Sequence, residues 1–590
     1  MTFFGWLTIV LFVVILSALA VPLGSYMAKV YSGERVFLSP LFAGPERLLY
    51  KVLRVDPERG QDWKSYAKSL LIFSLAGWLL LYVILRTQDA FFVPHAVNPL
   101  GYHSAPWNVT FNTVSSFVTN TNWQFYSGDT TMSYLSQMIG LTVQNWLSAG
   151  VGIVVAVALI RGIIGRSPKS LGNFWKDLVR TILYVLAPIS VIGALVLVSQ
   201  GVIQNLSTYL TAHTLTGLTQ SIAMGPAASQ LSIKMLGTNG GGFFNVNSAH
   251  PFENPTAFTN LFEMLLVLII PAALVFTYGR MTGNRRQGYA IYATMMVMFL
   301  GAVVVAYVAE AHGSPAQHAA GLHTHAISGS GGGNMEGKEQ RFGIAGSALF
   351  DVVTTVTSCG AVNSAIESFT GIGGAVPFAN MSASETIFGG VGTGLYSILL
   401  YVLLAVFIGG LMVGRTPEWL GKKLEAKEIK LAGLAILITP LAALFATALA
   451  TATRAGRASI SELGKGPQGF SESFYAYLSQ ANNNGSAFAG YTGFIQPNAG
   501  NVGSHGVTFA DVLGGLVMLF ARFGPIVLTL AVAGALVGKR VTPAGLGTMR
   551  TDNTTFVVLL IGVIILVGAL TFFPALLLGP IVQGLTGHLY

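Results

Sequence analysis

Charge is scarce in this chain. Only 9% of its 590 residues are Asp, Glu, Lys or Arg, against 52% hydrophobic, where a soluble domain carries about 25% charge. A fully aqueous fold is excluded at that composition. Cysteine is scarcer still. Cys359 stands alone, which rules out an intramolecular disulfide framework and any multi-cysteine metal cage. A GxxxxGK[ST] phosphate loop is missing, and no insertion between apolar runs is large enough for a nucleotide domain. The chain is therefore not expected to hydrolyse ATP by itself. Paired acids or a His-Glu metal motif within the apolar runs, which an intramembrane enzyme would need, are also absent. The net charge of +9 does not point to nucleic acid, because the basic residues fall in short loops between apolar runs.

Those runs are ten in number, roughly 3–30, 67–86, 137–163, 180–201, 258–279, 289–311, 385–413, 429–452, 510–537 and 554–580. Each is near the ~20 residues a helix needs to cross a bilayer, so the expected fold is an all-α integral membrane protein. The first run lacks a basic n-region and continues to Val30, which makes it a retained span instead of a leader. Cations occupy alternate loops: Arg35, Arg47, Lys51, Arg54, Arg59 and Lys64, then Arg166, Lys169 and Lys176, then Arg285 and Arg286, then Lys422, Lys423 and Lys427, then Lys539, Arg540 and Arg550. The segment from Thr87 to Met138 holds no Lys or Arg. The positive-inside rule then places the bare loops, and both termini, outside.

The bare loops are long. Each carries an apolar stretch too short to span, near 107–119, 225–237, 345–358 and 470–481, followed by a Gly/Asn-rich segment. A re-entrant half-helix is the reading that fits. Aligning Asn122, Gly240, Gly360 and Gly485 gives spacings of 118, 120 and 125 residues, an internal repeat of span, half-helix, turn and span. The chain divides accordingly: 1–66 for the first span and its loop, 67–165, 166–280, 281–414 and 415–538 for four pore repeats, and 539–590 for the last loop and span. A half-helix entering from outside points its negative C-terminal end at the pore centre. The extended segment after it has carbonyls with no helical partner, and such backbone survives at membrane depth only where it lines a cavity. Four segments around an axis make rings of carbonyl oxygens that replace the water shell of a cation. Glycine permits the conformations this requires, and asparagine tolerates them, which accounts for Asn122 in the glycine slot of the first copy. None of the aligned residues is charged, which favours a dehydrated monovalent ion.

The motifs at these positions are long: Thr119–Gln124, Gly237–Asn245 continuing through Ser248–Pro255, Asn334–Glu339, Ser358–Asn363, Gly414–Glu418 and Asn482–Phe488. With them, nearly end to end, the chain resembles the potassium-binding A subunit of Kdp-type potassium-transporting ATPases. The resemblance implies a fold of the potassium-channel and transporter superfamily in a bacterial inner-membrane complex. It implies capture of the potassium ion in a selectivity filter of Asn120, Thr121, Asn122, Thr238, Asn239, Gly240, Ser358, Cys359, Gly360, Asn483, Asn484 and Gly485. It further implies passage through a tunnel to a P-type ATPase catalytic B subunit, with a C subunit and a small single-span subunit completing the assembly. Gln124 matches the family's glutamine near the entrance to the ion's side path. The segment from Tyr491 to Gly506 is longer than is usual in the family. The competing reading of the same pore is a self-standing potassium channel or cation-coupled potassium transporter.

Several polar residues stand out. Arg522, in the ninth run, is either a positive barrier below the filter or half of a structural pair, and the resemblance favours the barrier. Glu385 is either a polar group lining the ion path or an acid satisfying a helix start. His312, His318, His323 and His325 precede a Gly/Ser run from Ser328 to Gly333, which suits an outer loop better than a metal site. The basic loop from Arg35 to Lys68 has the charge to meet anionic membrane lipid, although topology already explains most of it. Lys234, inside the second half-helix, has no explanation in the sequence.

Overall fold

The computed structural model describes residues 1–165, 170–325, 332–457, 466–491, 505–543, 548–576 and 578–586. Arg166 and Lys169, most of the Ser328–Gly333 run, and nearly all of the long Tyr491–Gly506 segment lie outside them. Ten helices among the described residues are long and apolar enough to cross a membrane. The spans are Phe3–Ser32, Trp63–Arg86, Ser136–Ile164, Phe174–Ser199, Ala257–Met281, Arg285–His312, Thr393–Met412, Ala426–Ala452, His505–Val537 and Thr554–Leu576.

Their starts carry the expected chemistry. Thr2, Asp62, Asn173 and Asn284 each accept a backbone N–H of the first turn, and Thr256 forms a capping box with Thr259. The third and fourth spans widen into π-helical turns at Ser136–Thr142 and Thr181–Leu186. The fifth span is buried along most of its length and packs against the first. The first and second spans leave Val10, Val14, Leu75 and Leu80 exposed, as lipid-facing helices do.

Between the spans lie four short helices that do not cross: Trp107–Val118, Ala227–Leu236, Gly343–Thr355 and Pro467–Ala481. They sit where the sequence placed its half-helices. The fold is thus mostly helical, with four pseudo-repeats of helix, re-entrant loop and helix; against the all-α expectation, short antiparallel hairpins form in two connecting loops, Leu210–His213 with Thr219–Ile222 and Glu418–Trp419 with Lys422–Lys423.

Three points of the sequence reading need correction. The seventh span does not begin at Glu385. It begins at Thr393, and Ser384–Gly392 is irregular, with left-handed backbone at Ser384, Glu385, Phe388, Gly389 and Gly392. The apolar composition of that stretch reads as span, but Gly389, Gly390 and Gly392 let it turn. The third repeat also holds an extra helix, Gly371–Ser382, which the pattern of span, half-helix, turn and span does not include. The last span ends at Leu576, and a separate short helix, Leu578–Thr586, follows it.

The basic loops lie on one face and hold one another. Gln61 of the first exchanges backbone hydrogen bonds with Leu171 and Gly172 of the second. Lys422 of the fourth donates to the carbonyls of Gly162, Gly165 and Leu536, the last turns of two spans. Thr542 N–H donates to the Gly421 carbonyl, and Gln287 donates to Thr551 at 2.7 Å.

In the first of these loops the helix Ser39–Leu53 turns Glu46 inward. Glu46 accepts from Arg180, Tyr184 and Tyr50, each at 2.7 Å. Burial alone would raise this carboxyl, but those three donors outweigh it and hold it below the ordinary value. Its stabilising contribution is therefore present above the usual carboxylate range and lost as pH falls through the lowered folded value. Glu46→Gln is expected to remove about 2 kcal/mol at neutral pH. It should also flatten the acid limb of the melting temperature against pH, measured on the detergent-solubilised chain. An unchanged acid limb would mean that Glu46 is not the group involved.

Candidate ion-binding site

Each half-helix ends in a residue sequence it cannot continue through. At the four aligned positions the backbone is left-handed: Asn122 at φ 51°, Gly240 at 66°, Gly360 at 80° and Gly485 at 102°. An L-residue other than Asn is strained there. The first, second and fourth copies turn left-handed two residues earlier as well, at Asn120, Thr238 and Asn483. Ser358, the equivalent residue of the third copy, does not.

The structure brings the four segments together as a closed ring. Between the first and second, Asn120 Nδ2 donates to the Thr238 carbonyl at 2.9 Å and Asn122 Nδ2 to the Gly240 carbonyl at 3.0 Å. Between the second and third, Gly240 lies so close that an added Cβ would overlap the Cys359 carbonyl oxygen. Between the third and fourth, Asn484 Nδ2 donates to the carbonyls of Thr354 and Thr357 at 2.7 Å each. Asn483 Nδ2 donates to Thr121 Oγ1 at 3.0 Å, and Gly485 abuts the Thr121 carbonyl, which closes the circle.

The asparagine side chains act as straps between segments. Asn239 Nδ2 donates to Asn120 Oδ1 at 2.6 Å and to Ser148 of the third span at 3.1 Å. Asn122 also donates to Asn145. Main-chain oxygens remain. Among the described residues, the carbonyls of Thr121, Asn122, Asn239, Cys359, Gly360 and Asn484 accept no hydrogen bond, yet Thr121, Asn239 and Asn484 are 0% exposed and Cys359 1%. Buried carbonyls without partners are rare, because each costs free energy. A dehydrated cation is a partner that several of them can share.

Gln124 sits at the rim of this ring. Its Oε1 accepts the Gly242 N–H at 2.9 Å, and its Nε2 donates to the Gly242 carbonyl at 3.1 Å and to the Tyr126 hydroxyl at 3.0 Å. It therefore ties the first segment to the second.

Lys234 now has an explanation. It is 1% exposed and ion-paired with Glu253, which is fully buried. Its ammonium also donates to the Gly241 carbonyl at 2.8 Å, while Glu253 accepts the Phe244 N–H at 2.8 Å. The pair clamps residues 241–244, just outside the ring, between the half-helix behind them and the loop beyond. The sequence signal was an isolated Lys in a loop otherwise bare of cations, with an acid 19 residues on.

The irregular stretch Ser384–Gly392 runs against the opposite side. Val391 N–H donates to Thr238 Oγ1 at 3.0 Å, and an added Cβ on Gly390 would overlap the Ser358 hydroxyl. Glu385, 9% exposed, accepts the Gly390 N–H at 3.3 Å. A cavity of about 30 Å³, lined in part by Glu385, Thr393, Asn482 and Asn483, joins this stretch to the fourth segment. Arg522, 2% exposed, donates from Nη1 to Thr393 Oγ1 at 2.8 Å, while Nη2 has no partner. Among the described residues Arg522 pairs with no carboxylate. In the histidine loop, the rings of His312 and His318 engage the carbonyls of Val308 and His312.

Comparison with known proteins places this geometry. The family model described as potassium-transporting ATPase A subunit matches residues 10–585. The potassium-transporting ATPase potassium-binding subunit of Mesorhizobium japonicum is 52% identical over 585 residues, covering 99% of each chain. The protein of the same name from Methylobacterium nodulans is 53% identical over 587 residues, covering 100% of this chain and 98% of that one. A crystal structure of the potassium transporter TrkH from Vibrio parahaemolyticus matches with a TM-score of 0.50 at 15% identity, over 89% of this chain and 98% of the other; the two share a fold. Matched over nearly its whole length, the chain belongs to the family of potassium-transporting ATPase A subunits.

Proposed function

We propose that this chain captures potassium from outside the cell in the four-segment ring and passes it to a P-type ATPase subunit of the same complex. The observation that carries this reading is the ring of buried carbonyls with no hydrogen-bond partner. Four half-helix C-termini converge on it and add negative potential. The filter residues are then Asn120, Thr121, Asn122, Thr238, Asn239, Gly240, Ser358, Cys359, Gly360, Asn483, Asn484 and Gly485, the unpaired main-chain oxygens among them serving as ligands, with Gln124 holding the mouth. The basic loops face the cytoplasm and both termini face outward. Repeats 67–165, 166–280, 281–414 and 415–538 each supply one segment. The chain hydrolyses no ATP; a catalytic B subunit does so, with a C subunit and a small single-span subunit in a bacterial inner-membrane complex.

Potassium should stabilise the purified chain over sodium at equal ionic strength. At a concentration a hundred times Kd the gain is about 2.7 kcal/mol, readable as a melting shift. Equal melting temperatures in the two salts would overturn the reading.

Arg522 and the stretch Ser384–Gly392 lie beneath the second and third segments, so the straight path inward meets a positive charge. Arg522→Gln is expected to raise passive rubidium flux through vesicles holding the full complex by roughly tenfold, while ATP hydrolysis continues. Unchanged passive flux would remove Arg522 from the barrier. A wild-type chain that conducts rubidium freely by itself would favour a channel.

A further inference from the structure

We infer that a basic cleft at the loop-bearing ends of the first, fifth and sixth spans holds the headgroup of an anionic phospholipid. The cleft has a volume of about 710 Å³ and is lined by Lys29 of the first span, Arg35 and Phe37 of the linker after it, and Arg280 at the end of the fifth span. A smaller one of about 110 Å³ shares Val21, Ser25 and Arg280 with it and adds Arg285 and Tyr289 of the sixth span. Among the described residues no carboxylate lines either. Glu34, next in the chain to Arg35, is not among the lining residues.

The four cations are exposed, and among the described residues their side chains make no hydrogen bond or ion pair. Several cations on this face are paired, while others, Lys51, Arg54 and Arg286 among them, are exposed and make no such contact among the described residues. Arg161 pairs with Asp177, Arg180 with Glu46 and Lys539 with Glu428. A topology signal requires positive charge on this side but not its convergence on one cleft. Three unpaired charges around one cleft, with Arg285 in the adjoining one, repel one another unless an anion joins them.

The walls fit a lipid better than a free anion. Phe37 is 79% exposed, with its ring 5.4 Å from that of Tyr26. Val21 and Pro22 complete an apolar side. Exposed apolar side chains continue along both flanking spans, with Leu11 and Val14 on the first and Val297 on the sixth. The helix Ser39–Leu53, which follows the linker, exposes Leu41, Leu48 and Val52 while Glu46 anchors its other side. That is the arrangement of a helix lying in the membrane interface. It sets the cleft at headgroup depth, with an acyl path above it and phosphate ligands at its rim. Basic pockets between spans at this depth recognise anionic headgroups. The leaflet is the cytoplasmic one if the orientation proposed above holds; the cleft itself does not depend on it.

The test uses the full-length chain in bilayers of equal phosphatidylglycerol and phosphatidylcholine, followed by native mass spectrometry of the lipid it retains. Wild type should retain phosphatidylglycerol preferentially. The double variant R35Q/R280Q should bind it about thirtyfold more weakly, roughly fivefold per charge removed. The charge-preserving R35K/R280K should retain it, and R47Q/K51Q on the interfacial helix should match wild type. Equal retention of the two lipids by wild type, or retention by R35Q/R280Q at the wild-type level, would overturn the inference. So would displacement of the lipid by millimolar inorganic phosphate, which would make this a small-anion site. Its replacement in the assembled complex by a partner chain that cross-links at position 289 would overturn it too.

Discussion

Replacing Gly240 with alanine is expected to weaken apparent potassium affinity at least about hundredfold while leaving the complex assembled. Gly240 has φ 66°, where alanine carries a cost of roughly 1–2 kcal/mol. Space is the larger obstacle. An added Cβ would overlap the Cys359 carbonyl oxygen and come within 2.6 Å of the Ala361 nitrogen. Both are main-chain atoms, so no side chain can swing aside. The backbone at the seam between the second and third segments must move, and it takes with it the Gly240 and Cys359 carbonyls. Gly240→Asp adds a negative charge to the same displacement and should abolish selective uptake. Gly433→Ala is the control: nothing lies within 4 Å of a Cβ there. The readout is the potassium concentration that half-saturates ATP hydrolysis by the assembled complex, with gel filtration to confirm assembly. A half-saturation point unchanged in G240A would remove the ring from ion binding.

The ring was legible in the sequence because its requirements are local. A short apolar stretch and a residue that tolerates positive φ recur at one period, and Asn122, Gly240, Gly360 and Gly485 all take that conformation. What closes the ring was not legible. The straps from Asn120, Asn122 and Asn484 reach across more than a hundred residues to main-chain atoms, and that from Asn239 across 91 residues to Ser148 of the third span, and no periodicity marks such partners. The stretch Ser384–Gly392 was hidden for the opposite reason. Its composition is that of a span, and only the glycines at 389, 390 and 392 indicated a turn. The sequence places Glu385 at the start of a span on that account, as a path-lining group or a helix-start acid, whereas it lies in an irregular segment and accepts the Gly390 N–H. Lys234 was visible as an anomaly but could not be paired from sequence, since Glu253 is brought to it only by the fold of the intervening filter segment.

That pair carries the second large effect. Lys234→Met leaves the fully buried Glu253 carboxylate without its counter-charge, and breaking a buried pair from one side costs about 3–5 kcal/mol. K234M should therefore melt well below wild type or fail to accumulate. K234M/E253Q separates stability from function. The glutamine is neutral and can still accept the Phe244 N–H through its oxygen, so most of the stability should return. The Gly241 carbonyl, however, still lacks the donor that held it at 2.8 Å, and the stretch 241–244 is tethered at one end only. Apparent potassium affinity of the double variant should remain about tenfold weaker than wild type, with maximal turnover little changed, because the ring itself keeps its straps. If the double variant recovers affinity together with stability, Lys234 serves the fold alone. If affinity stays low after stability returns, the charge behind the second segment positions the carbonyls that the ion first meets.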